Sequence, residues 1–320
     1  MMLARIALAA IAFSTSLTVN AQHYPERPLR FVIPFPPGGG ADNLARIVVT
    51  AANEKLGQPI VVDNRAGAGG NIAAEVVAKA APDGYTLLQA NVAHAISASL
   101  YRKLNYDLLR DFAPVTQLAS IPFVLAVSPQ LGASSVKEVI ARARAKPDAL
   151  SYASSGNGGP SHLAMELFKS MARVDIRHIP YKGAAPGSAA LMANNVQLMF
   201  FTVSAALPLM AGGRVQCLAI ASTRRSALAP DLPTVSEAGL PGFEATTWFG
   251  VMVPSGTARP IVTTLHQAFT GALKIASMRD RILKQGFEIV GSDPEAFGAY
   301  VRTEIPKWAT VVQASGAGVD

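Results

Sequence analysis

One cysteine stands in the 320 residues. Cys217 sits in the apolar run Val215-Gln216-Cys217-Leu218-Ala219-Ile220, where it has no partner for an internal disulfide and reads as a small buried hydrophobe. Stability must therefore come from packing. Charge is sparse too, at 15% of residues, and the basic side chains are scattered. Arg142, Arg144 and Lys146 share one helix and Arg224-Arg225 a loop, with no basic run interleaved with aromatics, which excludes a nucleic-acid surface. Catalytic and metal patterns are missing as well. The five histidines show no His/Cys/carboxylate spacing for a metal. His94, His162 and His178 are isolated in the chain, and His266 falls within a helical pattern. There is no G-x-S-x-G elbow, and the adjacent pair Ser161-His162 cannot form a Ser–His catalytic geometry. No Gly-Lys-Ser/Thr ending or dinucleotide fingerprint occurs. Neither a catalytic residue, a metal nor a cofactor is expected. No apolar run is long enough to span a membrane: the longest, Ile6 to Leu17, is about 12 residues against the roughly 20 a span needs.

That short run has another reading. It follows Arg5 and precedes Val19-Asn20-Ala21, small residues of the kind a signal peptidase reads, so residues 1–21 are predicted to be a cleaved secretion signal. Cleavage falls before Gln22. No Cys follows the site and no Arg-Arg pair precedes it, so no lipid anchor is expected. The remainder is too long for one compact core and suggests two domains. Half of the residues are hydrophobic, ample for both. A formal charge of +7 is modest for this length and favours anionic solutes.

Along the chain, strand and helix alternate. Leu29 to Pro34 reads as a strand and Asp42 to Leu56 as a helix, with Leu44, Ile47, Val48 and Ala51 at i, i+3, i+4, i+7. Similar alternation continues to the C-terminus, through a long helix predicted over Arg259 to Gln285. Capping boxes are expected at Ser135/Glu138 and Ser292/Glu295. The fold class is α/β with largely parallel strands. The apolar segments Phe123–Val127 and Phe249–Val253 each precede a turn and read as two crossovers between lobes. Residues 22–125 and 246–320 would then form lobe one, and 126–245 lobe two, an arrangement suited to hinge closure.

Two distant segments share one order of strand, glycine loop and helix start. They are Phe31-Val-Ile-Pro-Phe-Pro-Pro-Gly-Gly-Gly-Ala-Asp42 and Leu150-Ser-Tyr-Ala-Ser-Ser-Gly-Asn-Gly-Gly-Pro-Ser161. A third glycine loop, Asn64-Arg-Ala-Gly-Ala-Gly-Gly-Asn71, has the same form. Glycine lets backbone approach a ligand, and the helix start behind it offers unpaired N–H groups and a positive dipole end. One such loop on each lobe makes a cradle for an anion such as a carboxylate without Arg or Lys. Asp42 suits an N-cap or loop clamp better than a ligand contact, because a carboxylate repels an anion. His162 could donate to a ligand or fix the loop.

At these residues the chain resembles the Bug receptors, the extracytoplasmic solute-binding components of tripartite tricarboxylate transporters. Tyr24-Pro25-x-x-Pro28, Pro34-Phe35-Pro36-Pro37-Gly38-Gly39-x-x-Asp42 and Asp63-Asn64-Arg65-x-Gly67-Ala68-Gly69-Gly70 carry the resemblance in the first part. Pro82-Asp83-Gly84-Tyr85, Ser155-Gly156-x-Gly158 with His162-Leu163, and Pro180-Tyr181-Lys182-Gly183 extend it. The resemblance implies a periplasmic-binding-protein type II architecture, two α/β lobes joined by two hinge strands around a ligand cleft. It implies ligand-binding roles for Phe35, Gly39, Gly40 and Asp42 on the first loop, and for Ala68, Gly69 and Asn91 beside it. Ser154, Gly156, Gly158, Ser161, His162 and Tyr181 would serve on the second lobe. Where the family commonly has Asp, this chain has Phe201. If Phe201 faces the ligand, the site is more apolar and the solute lacks an ammonium group; if it faces the loops, it alters their bracing. The expected partners are a small carboxylate and membrane transporter subunits, met by a soluble periplasmic monomer. An orphan receptor serving a sensor kinase is the alternative, and a secreted enzyme a weaker one.

Overall fold

The computed structural model describes residues 24–318, so the signal-peptide expectation and its cleavage site lie outside it. The chain runs through β1 (Leu29–Ile33), α1 (Gly40–Leu56), β2 (Ile60–Asn64), α2 (Asn71–Ala78), β3 (Thr86–Asn91) and α3 (Val92–Leu100). It continues through β4 (Phe112–Val127), α4 (Val136–Ala145), β5 (Ser151–Ser154), α5 (Pro160–Ala172), β6 (Arg177–Pro180) and α6 (Ala184–Met192). Then come β7 (Leu198–Thr202), α7 (Val203–Ala211), β8 (Gln216–Ile220) and β9 (Thr246–Pro254). α8 (Arg259–Lys274), α9 (Ala276–Lys284), β10 (Glu288–Ile289) and α10 (Pro294–Ser315) complete it.

The strands order as β2-β1-β3-β9-β4-β7-β5-β6, with β8 and β10 also pairing β4. β1, β2 and β3 are parallel at one side, and β5, β6 and β7 are parallel at the other. The long strand β4 joins the two halves, pairing with β9 over Phe112–Pro122 and with β7 over Phe123–Val127. Side chains alternate across the sheet. Val32, Leu88, Leu125 and Phe200 enter an apolar layer with α3, α5 and α10 residues such as Ile96, Phe168 and Val301. Their neighbours Phe31, Leu87, Val124 and Phe201 enter the opposite layer, under α1, α7 and α8. Helices on both faces explain why the strands read as nearly continuous apolar runs.

Along β4 the ladder passes from β9 at Pro122 to β7 at Phe123, and the Ala245 N–H reaches Ala221 O just before Thr246 pairs with Pro122. Three expectations are corrected. The helix expected over Arg259 to Gln285 breaks at Ile275, where φ is −71° and ψ 122°. The bend packs both Leu273 and Ile282 into the same apolar layer. The last helix is capped by Asp293, which accepts the Ala296 N–H at 2.6 Å, ahead of a first-turn proline. Ser292 is spent on β4 instead: its Oγ accepts the Gln117 N–H at 3.0 Å. Ser135 does accept the Glu138 N–H, but the Glu138 carboxylate reaches back to Ser134, one residue before a capping box would place it.

Candidate functional site

A cleft of about 1080 Å³ opens between the two halves of the sheet. Five helix starts reach its wall. Gly39 and Gly40 belong to α1, Gly69 and Gly70 precede α2, and Asn91 caps α3. From the other half come Gly158 and Gly159 before α5, and Thr202 before α7. No Asp, Glu, Lys, Arg or His lines the cleft among the described residues. Each helix start carries roughly half a positive charge, so the cleft is electropositive without an ionised side chain. Phe35, Phe249, Phe287 and Leu100 supply apolar wall.

The polar groups can be accounted for individually. In α1 the Asn43 N–H is the first to find an acceptor, Gly39 O, which leaves the preceding first-turn N–H groups without intrahelical partners. Asn91 Oδ1 caps α3 by accepting the Ala93 N–H at 2.8 Å. Its Nδ2 is buried in the cleft wall with no hydrogen-bond partner. A buried amide donor left unpaired costs about 1–3 kcal/mol. Across the cleft, the Gly158 N–H goes to His162 Nδ1 at 3.0 Å and the Gly156 N–H to Ser154 Oγ at 3.2 Å. The Ser155 N–H goes to Ser161 Oγ at 3.0 Å. That loop is braced from behind, and at the start of α5 the Ser161 and His162 N–H groups precede the first intrahelical bond, from Leu163 to Gly159 O.

Asp42 clamps the first loop from inside α1. Its carboxylate accepts from Gly38 N–H, Arg46 Nε and Asn64 Nδ2, each at 2.9 Å, and is only 2% exposed. Burial acts to raise its pKa, but the bonds from Arg46, Gly38 and Asn64 outweigh that and hold it below the usual carboxylate range. The N-cap of α1 is Gly39, not Asp42.

Residues 44–317 match the family model described as Tripartite tricarboxylate transporter family receptor. The chain belongs to that family. BugT of Bordetella pertussis is 37% identical over 301 residues, 93% of this chain and 92% of BugT. The solved structure of R. palustris Rpa4515 with adipate is 38% identical and has a TM-score of 0.78; the match covers 92% of this chain and 100% of that one. MatC from Rhodopseudomonas palustris with bound malate is 34% identical with a TM-score of 0.75, over 90% of this chain and 100% of that one. The receptor therefore has the two-lobed periplasmic-binding-protein architecture and is a solute-binding protein rather than an enzyme. Its family is that of the receptors of tripartite tricarboxylate transporters. Among the described residues no helix is long and apolar enough to cross a membrane.

In the receptor, six of the residues singled out from sequence meet in the cleft wall: Phe35, Gly39, Gly40, Gly69, Asn91 and Gly158. Asp42, Ala68, Ser154, Gly156, Ser161, His162, Tyr181 and Phe201 do not line it. Ser154, Ser161 and His162 brace the second loop, and the Tyr181 N–H donates to Ser154 O behind it. Phe201 is 3% exposed, in the apolar layer under α7, because strand alternation turns it opposite Phe200. The histidines are not isolated in space. The rings of His162 and His178 lie parallel at 4.0 Å, beside Tyr152.

Sequence reading missed Ser97 and Leu100 on α3, Tyr101 just after it, and Thr202, Ser204, Phe249 and Phe287. An Asn-x-x-His start was available for α3, since Asn91 and His94 form a reciprocal cap there. Nothing local marks Phe249 or Phe287, which enter through tertiary packing. Leu100 matters at the rim. Gly158 has φ +69°, and a Cβ there would sit 2.5 Å from Leu100 Cδ2, so the halves touch where only glycine fits.

Proposed function

We propose that this receptor captures a small carboxylate by closing its two lobes on it and hands it to membrane transporter subunits. The cleft carries the proposal: five helix starts converge on it, and among the described residues no ionised side chain lines its wall. Backbone N–H groups of the glycine loops on both lobes would hold the carboxylate. No wall carboxylate is available to receive an ammonium group, so amino acids are disfavoured, and Phe35, Phe249, Phe287 and Leu100 suit an apolar body. The adipate and malate of its structural relatives are carboxylates without an ammonium group.

The lobes are residues 22–125 with 246–320, and residues 126–245. β4 and β9, whose shared ladder ends beside the junction at Pro122 and Thr246, act as the hinge strands. The protein works as a periplasmic monomer after cleavage before Gln22. Calorimetric titration with mono-, di- and tricarboxylates, beginning with adipate and malate, tests the proposal. Saturable one-to-one binding that shifts small-angle scattering to a more compact shape supports it. Binding without compaction removes the hinge, and no binding by any carboxylate removes the solute class.

A further inference from the structure

A histidine stands behind the cradle on each lobe and uses the same ring atom in the same way. His94 is the third residue of α3, and its Nδ1 accepts the Asn91 N–H at 3.1 Å. With Nδ1 accepting, the neutral ring carries its proton on Nε2, which lies 3.3 Å from Gly70 O and donates to it. One ring thus ties the α3 start to the loop before α2, both in the cleft wall. His162 is the third residue of α5, and its Nδ1 accepts the Gly158 N–H at 3.0 Å. His178, stacked on it at 4.0 Å, places Nε2 2.6 Å from Ser154 Oγ, which in turn accepts the Gly156 N–H. None of these rings lines the cleft.

We propose that His94 and His162 are positioning residues that set the two halves of the cradle through an unprotonated Nδ1, and that neither touches the solute. The second clause rests on the carboxylate reading; the first does not. Gly158 and Asn91 are buried, so removing the acceptor strands a buried N–H and the loop must move to satisfy it. Protonating Nδ1 does the same, because it turns the acceptor into a donor. Burial works against that. It lowers His94 to about 4, and it lowers His162, with Glu166 opposing and Lys169 adding to the effect. The groups facing His162 are His178 from β6, Tyr152 from β5, and Glu166 and Lys169 from its own helix. Ser315, the last residue of α10, and Gly316 to Gly318 complete that surround and add no charge among the described residues. Tyr106 faces His94, and Arg102 and Asp107 line the small cavity beside it.

Two substitutions at each position separate positioning from bulk. His162→Asn puts an amide oxygen near the place of Nδ1, whereas His162→Leu keeps volume and removes the acceptor; His94→Asn and His94→Leu repeat the pair. The probes are adipate and benzoate, titrated calorimetrically at pH 7.5. The Leu variants should weaken binding about 10- to 30-fold, the worth of one stranded buried group, and the Asn variants should recover about tenfold of it. Leu variants that bind as wild type, or Asn variants no better than Leu, overturn the proposal. A solute-free readout stands beside this. The Gly158 amide resonance of wild type should move on acidification below the ordinary histidine range and stay in place in His162→Asn. An identical acid response in both proteins overturns the assignment. Should neither acid bind wild type, the carboxylate reading fails for these probes, while the amide comparison still decides the positioning role.

Discussion

Alanine at Gly158 should damage this protein in two separable ways, and Leu100 allows them to be separated. The backbone at Gly158 has φ +69°, a left-handed conformation that costs a residue with a side chain about 1–2 kcal/mol. The added Cβ would lie 2.5 Å from Leu100 Cδ2 and 3.0 Å from Cδ1, well inside contact distance. Leu100 is only 7% exposed and has little room to withdraw, so the overlap adds about 1–3 kcal/mol. Gly158→Ala should therefore cost about 2–5 kcal/mol in all. Leu100→Ala alone should cost about 2–5 kcal/mol as a large-to-small core change. In the double variant the overlap is gone but the backbone cost stays, so its loss should be smaller than the sum of the singles by about 1–3 kcal/mol. Urea unfolding of the four proteins with a shared m-value measures this cycle. Losses that add within about 0.5 kcal/mol would refute the reasoning, because the contact across the cleft rim would then be absent.

Three further outcomes follow from the site. Asn91→Asp keeps the oxygen that caps α3 but replaces the unpaired amide donor with a negative charge; carboxylate affinity should fall at least about 30-fold with little change in melting temperature, read by calorimetry and thermal unfolding. His94 is lowered from 6.5 to about 4 by burial, so the unfolded chain takes up the proton first as pH falls. The stability it contributes is complete above the ordinary histidine range and is lost as pH falls from 6.5 towards 4; of order 2 kcal/mol should disappear by pH 5, and His94→Asn should remove that part of the slope in urea unfolding. Asp42→Asn should cost about 2 kcal/mol at neutral pH by weakening the clamp on Gly38 and Arg46, and equal stability of variant and wild type would contradict the clamp. Because the Asp42 pKa is depressed, its contribution holds above the ordinary carboxylate range and fades only in stronger acid.

Legibility in the sequence followed the range of the forces involved. α1 was readable because Leu44, Ile47, Val48 and Ala51 repeat at helical spacing; the first three face one apolar layer and Ala51 is buried as well. The glycine loops were readable because turn chemistry is local. Both halves of the cradle could thus be located, though not their wiring: that His162 rather than the solute takes the Gly158 N–H is a contact within one turn whose direction only the fold fixes. Phe287 and Phe249 reach the cleft because β10 and β9 both pair with β4, a consequence of sheet order that no local pattern carries. The same holds for Phe201, whose side chain faces the core because of the register of β7 against β4. The long β4 was read only in its second half. Its first half, Phe112 to Pro122, includes Pro114 and Pro122 and looks broken in sequence, yet β9 holds it in the ladder.

The central claim is that a backbone cradle without ionised side chains selects a carboxylate that carries no ammonium group. The most direct test compares, by calorimetry on residues 22–320, the tightest-binding acid of a carboxylate panel with its neutral amide and its α-amino analogue. The expected result is that the acid binds at least about a hundredfold more tightly than either, a difference of about 2.7 kcal/mol. An α-amino acid that binds as tightly as the parent acid, or an amide that does, would contradict it.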